Sequence, residues 1–133
     1  MPTPLPPEIT LLGWSVVLLL VHIAFQGGLS ARQRGVAWGA GARDALPSPL
    51  GTYAGRAQRA LDNFKETYPA FIALALALVV TGRGGGAGET GAWLWFCARV
   101  VYLPLYLLGV PWVRSAAFGV SLAGLMMMLS RLG

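Results

Sequence analysis

The sequence predicts an all-α integral membrane protein, a four-transmembrane-helix bundle forming a single domain over residues 1–133. Three observations predict it. Hydrophobic residues make up 56% of the chain and charged residues only 11%, with a mean hydropathy of +0.62, a composition for which water cannot be the main solvent. Four apolar runs are placed to cross a hydrocarbon core about 30 Å thick, which takes roughly 20 helical residues. The segments between them carry the turn-forming Gly and Pro and several arginines, as the connections of a membrane bundle do.

The expected spans are about residues 9–29, 59–80, 93–110 and 113–129. The first holds no charge. Its approach, MPTPLPPEITLLGW, lacks the basic region of a secretory signal and carries Glu8 instead, so this run is read as retained. Pro6 and Pro7 suit a helix entrance, where the first N–H groups have no intrahelical partner. Residues 30–55 contain Arg32, Arg34 and Arg43 against Asp44, with Gly and Pro punctuation, and are expected as a cytoplasmic loop.

The second span is unusual because its plainly apolar part, residues 70–80, is about half the necessary length. The other half must precede Pro69, which brings Arg59, Asp62, Asn63, Lys65 and Glu66 to or near membrane depth. Residues 81–90, TGRGGGAGET, read as a flexible turn on the opposite side. Trp93 and Trp95 suit the interfacial end of the third span, and Pro111 with Trp112 makes a tight connection to the fourth. Arg114 lies near the start of that span and Arg131 beyond its end. Both termini are then expected outside, with the first and third connections cytoplasmic.

The net charge of +5 does not indicate a nucleic-acid partner, because the basic residues are scattered and form no dense patch. One cysteine, Cys97, excludes an intrachain disulfide, and no Cys and His set has metal-ligand spacing, so no metal is expected.

Arg56, Arg59, Asn63 and Glu66 follow one another at i, i+3, i+7 and i+10, which places them on one helical stripe. Arg99, Tyr102 and Tyr106 repeat the pattern in the third span. With Pro111 at the cytoplasmic boundary, a rise of about 1.5 Å per residue sets Tyr102 and Tyr106 in the cytoplasmic half and Arg99 near mid-membrane. Asn63, Glu66 and Arg114 share that half. Charges within a membrane must be paired whatever their use, so these groups can satisfy one another between helices. Yet Arg59, Arg99 and Arg114 outnumber Glu66, the one carboxylate on the seam, even with Asp62 offsetting one arginine from the neighbouring face. An excess of guanidinium favours an anionic ligand, since arginine grips carboxylates through two parallel hydrogen bonds.

These residues resemble a known family. The run RAQRALDNFKETYPAF, residues 56–71, is similar to the second-helix signature of the membrane-associated proteins in eicosanoid and glutathione metabolism (MAPEG), R-x-x-R-A-x-x-N-x-x-E followed by P-x-F. RVVYLPLY, residues 99–106, resembles the third-helix R-x-x-Y-x-x-x-Y, and Arg114 falls close to the arginine that opens the family's fourth helix. The resemblance implies a homotrimer with sites between subunits that take glutathione as co-substrate. It implies that Arg59, Asn63, Glu66, Arg99, Tyr102 and Tyr106 contact glutathione while Arg114, the catalytic residue, faces its sulfur. Such an assignment is chemically coherent. Glu66 can accept an ammonium, arginines the carboxylates and tyrosines the peptide groups, and a guanidinium beside a thiol favours the nucleophilic thiolate. Two positions depart from the pattern: Thr67 stands where some members have tyrosine, and Gln33 where a second arginine often follows the first helix.

Other features read as structural. His22 is expected to hydrogen-bond a neighbouring helix, and Cys97 to be a small buried packing residue. Residues 82–88 are glycine-rich but lack the Lys-Ser/Thr ending of a phosphate loop. Met126, Met127 and Met128 point to different sides of a helix and suit apolar filling. Gly119 and Gly124, with Ala116, Ala117 and Ala123, permit close helix approach.

The functional expectation is a glutathione-dependent membrane transferase or peroxidase acting on a hydrophobic small molecule that enters from the lipid bilayer. The alternatives are a non-catalytic lipid- or fatty-acid-binding protein of the same fold and a structural subunit of a larger membrane complex. The abundance of Gly, Ala and Arg and the scarcity of Lys suggest a bacterial source, hence the inner (cell) membrane.

Overall fold

A computed structural model describes residues 4–35 and 51–133. It contains four helices: α1 (Pro7–Arg34), α2 (Thr52–Val80), α3 (Ala87–Leu108) and α4 (Pro111–Ser130). All four are long and apolar enough to cross a membrane. Large apolar side chains such as Trp14, Leu20, Phe25, Val101 and Trp112 stand exposed on their outer faces, as the surface of a bundle embedded in lipid requires.

The helices overrun the expected spans because polar first and last turns can extend beyond the hydrocarbon. α1 continues to Arg34, where Arg32 and Arg34 lie at the negative end of the helix dipole. α2 begins at Thr52 rather than at 59, and α3 at Ala87 rather than at 93. The expected loop over 30–55 is therefore helical at both ends. Arg43, Asp44 and the rest of 36–50 lie outside the described residues, as does the Gln33 side chain. Pro69 removes one helical N–H from α2, yet the helix runs through it, as membrane-buried helices tolerate when their neighbours compensate.

α3 and α4 are joined without a loop. Gly109 adopts φ 73° at the end of α3, its N–H meets the Tyr106 carbonyl, and the Val110 N–H reaches Leu105 O at 3.0 Å. This pair of bonds is a Schellman closure, which needs the left-handed conformation that glycine adopts freely. Pro111 then opens α4 directly. The two helices are pressed together where Gly91 faces Gly124: a Cβ on Gly124 would lie 2.5 Å from the Gly91 carbonyl oxygen. The expectation of close approach holds at Gly124, whereas Gly119 faces open space.

The core is an aromatic column between α2 and α3. Phe71 stacks on Trp95 at 3.9 Å, Tyr68 and Phe64 follow toward the other end, and His22 of α1 stacks on Phe64 at 4.8 Å. Ser15 donates to the Leu12 carbonyl and, in turn, lies 2.9 Å from the Tyr68 hydroxyl, which ties α1 to α2. Three expectations are corrected here. Trp95 is fully buried in this column, not at an interface, whereas Trp93 is exposed. His22 is buried, but neither ring nitrogen has a hydrogen-bond partner among the described residues, so its contact is a stack. Cys97 is exposed, because the face of α3 that packs inward is the one carrying Trp95, Ala98 and Arg99. Met128 is fully buried and Met126 is exposed, as consecutive residues on a helix must diverge.

At the far end of the bundle, the fully buried Glu8 accepts the Gly85 N–H at 2.7 Å, so the start of α1 holds the turn between α2 and α3. Arg83 and Arg131 bind each other's backbone carbonyls at 3.3 and 3.2 Å, which fastens the end of α4 to the same turn.

Candidate functional site

At the end of the bundle opposite Glu8, three helices line an open cleft of about 360 Å³ formed by Arg59, Asp62, Asn63, Glu66, Tyr102, Tyr106 and Arg114. α2 supplies its four residues from one face because 59, 62, 63 and 66 lie within two turns at helical spacing. Tyr102 and Tyr106 come from successive turns of α3. The loop-free junction at Gly109 and Pro111 then reverses the chain so that Arg114, one turn into α4, returns to the level of Tyr106. Its guanidinium carbon lies 4.6 Å from the Tyr106 ring centre, a cation–π contact that fixes the charge over the phenol.

Arg99 takes a different position from the other sequence-identified residues. It is fully buried behind the cleft, donates to Asn63 Oδ1 at 2.7 Å, and lies over the Tyr102 and Phe64 rings at 4.3 and 5.4 Å. Its Nε and Nη2 have no hydrogen-bond partner among the described residues. A buried guanidinium with two unused donor atoms is costly unless an acceptor is brought to it. Arg99 thus orients Asn63 and Tyr102, which themselves face the cleft.

Arg56 leaves the stripe that its spacing assigned to it. Its Nη1 donates to the Leu107 carbonyl at 3.0 Å, one of the last α3 carbonyls that lack a partner within the helix, and the guanidinium lies against Gly109, with Nη2 only 2.7 Å from where a Cβ would stand. The reason is length: α3 ends level with Arg56, so the nearest acceptors are its terminal carbonyls. Thr67 is buried away from the cleft.

Asp62, expected on the neighbouring face to offset an arginine, lines the cleft itself and lies 3.8 Å from Lys65. The charge balance changes accordingly. Two carboxylates, Asp62 and Glu66, share the cleft with Arg59 and Arg114, while Arg99 lies behind. The signal for Asp62 was present in its spacing, three residues after Arg59 and four before Glu66.

Such an arrangement offers separate seats for cations and anions within one cleft, with phenol hydroxyls and an amide between them. It suits a small ligand carrying charges of both signs. Open to the outside of a single four-helix unit, the cleft leaves Arg59 and Glu66 exposed.

No curated protein and no solved structure matches the chain. A family model does, the MAPEG family, over residues 11–133. With four membrane-spanning helices and this match across almost its whole length, the chain belongs to the MAPEG family, which includes glutathione transferases and peroxidases.

Proposed function

We propose that the protein is a glutathione-dependent transferase or peroxidase acting on lipophilic electrophiles that reach the cleft from the bilayer. The observation that carries this reading is the convergence of Arg59, Asn63, Glu66, Tyr102, Tyr106 and Arg114 on one cleft. Arg59 takes a ligand carboxylate and Glu66 the ammonium, Asn63 and the tyrosines hold the peptide groups, and Arg99 keeps Asn63 and Tyr102 in place from behind. Arg114 stands at the thiol, where its positive charge favours thiolate and leaves the sulfur as the nucleophile.

The assembly that fits this reading is a homotrimer with each cleft covered by a neighbouring copy. A charged α2 face exposed on one four-helix unit needs protein cover within a membrane. The test is direct: protein purified in mild detergent is cross-linked and weighed by native mass measurement, then assayed for glutathione binding and for conjugation of a generic aryl halide. Three copies with binding and turnover support the reading. A stable monomer in native-like lipid, or the absence of glutathione binding, overturns it. Binding without turnover favours a non-catalytic member.

A further inference from the structure

The α2 wall of the cleft carries a carboxylate at a position that the family signature leaves unspecified. Asp62 falls one helical turn before Glu66, so the two carboxylates project from the same side of α2, and both line the cleft. Asp62 meets an ammonium already, the Lys65 Nζ at 3.8 Å, with both side chains more than half exposed. An exposed ion pair of this kind contributes little stability, so another ammonium can replace Lys65 at small cost. Glu66 makes no ion pair among the described residues.

Arg59 shares the α2 wall with the two carboxylates, while Arg114 lies across the cleft on α4 and Arg99 behind it on α3. With Lys65 displaced, the guanidinium groups of Arg59, Arg99 and Arg114 against the carboxylates of Asp62 and Glu66 leave the site one positive charge in excess. A ligand with two carboxylates and one ammonium carries the opposite charge and neutralises it, which matters where the surroundings are apolar.

We propose that Asp62 is a specificity-determining residue: with Glu66 it forms a two-carboxylate seat for the primary ammonium of the ligand, restricting the cleft to thiols that carry a free α-amino group. The inference rests on the glutathione reading above. On binding, the ligand ammonium displaces Lys65 from Asp62 and bridges the two carboxylates, while its own carboxylate turns to Arg59.

Two ligands test it on the purified protein in lipid nanodiscs: glutathione, and the analogue in which a glutaryl group replaces γ-glutamyl, so that only the ammonium is missing. The wild type should prefer glutathione by about 100-fold, as expected for loss of two charge-assisted contacts. Asp62→Asn should weaken glutathione about tenfold and leave the analogue unchanged. Lys65→Gln, which frees the carboxylate, should bind glutathione as well as the wild type or better. Equal effects of Asp62→Asn on both ligands overturn the proposal, as does a wild type that binds both alike. So does a Lys65→Gln variant that reproduces the Asp62→Asn loss, because Asp62 would then act through its helix and not through the ligand. A wild type that binds neither ligand overturns the glutathione reading itself, and the seat with it.

Discussion

Arg99 donates a hydrogen bond to Asn63 Oδ1 across 2.7 Å, joining α3 to α2 immediately behind the cleft. The bond joins a buried charge to a residue of the cleft wall, so stability and ligand affinity are coupled through it. Asn63→Leu removes the acceptor while leaving the guanidinium buried, and should destabilise the protein by about 3 kcal/mol. Arg99→Met removes the charge together with its desolvation cost and should destabilise less, while weakening glutathione binding more. Thermal unfolding in detergent, with and without glutathione, measures both. An Asn63→Leu protein as stable as the wild type would mean that Arg99 finds another acceptor.

The contact between Gly91 and Gly124 predicts a steep response to one added methyl group. Gly124→Ala would bring its Cβ to 2.5 Å from a backbone carbonyl oxygen, which cannot move aside without shifting α3. The expected cost is about 2 kcal/mol or more, seen as a lowered unfolding temperature. Gly119→Ala faces open space on the same helix and should change stability by less than about 0.5 kcal/mol in detergent. Similar losses for the two variants would place the sensitivity in α4 itself and not in its contact with α3.

Arg114 and Glu66 should separate catalysis from affinity. If Arg114 stabilises thiolate, Arg114→Leu should raise the pKa of bound glutathione and slow conjugation by about 10²- to 10⁴-fold, with a smaller loss of binding. Glu66→Gln should do the reverse and weaken affinity first. Thiolate absorbance against pH, measured beside turnover, reads the two effects. With the thiol pKa raised, the mutant rate should recover as pH rises through the new value. Unchanged pKa and rate would remove Arg114 from the mechanism.

The arginines bias the orientation of the bundle. Arg32, Arg34, Arg56, Arg59 and Arg114 lie toward one end and Arg83 and Arg131 toward the other, so the first end is expected in the cytoplasm by the positive-inside rule. Reporter fusions should show Gly133 outside and position Ser48 inside. An outside signal at Ser48 would mean that charge bias does not orient this chain.

Much of this was legible in the one-dimensional pattern. Run length and predominantly apolar composition specify four crossing helices, since a bilayer imposes a length that few other environments demand. Helical spacing brought Arg59, Asn63 and Glu66 to one face, and Tyr102 with Tyr106 to another, because backbone geometry alone decides which residues share a face. Boundaries were less legible: polar turns at 30–34 and 52–58 resemble loops in composition, yet they continue the helices, as polar end turns can beyond the hydrocarbon.

What only the tertiary structure decided is how each face is turned toward its neighbours. Spacing treats Arg56 and Arg59 alike, but Arg56 meets the end of α3 and is held by the Leu107 carbonyl, whereas Arg59 meets the cleft. Spacing likewise joins Arg99 to Tyr102, but packing against Phe64 draws Arg99 inside, and the rotation of α2 brings Asp62 around to the cleft. Trp95 and Trp93 are equally suited to an interface by composition; stacking on Phe71 buries the first and leaves the second exposed. The pairing of Glu8 with Gly85 spans most of the chain, a contact no local pattern encodes. Helix periodicity is a property of one segment, whereas the rotation of that segment about its axis is set by the side chains of the others.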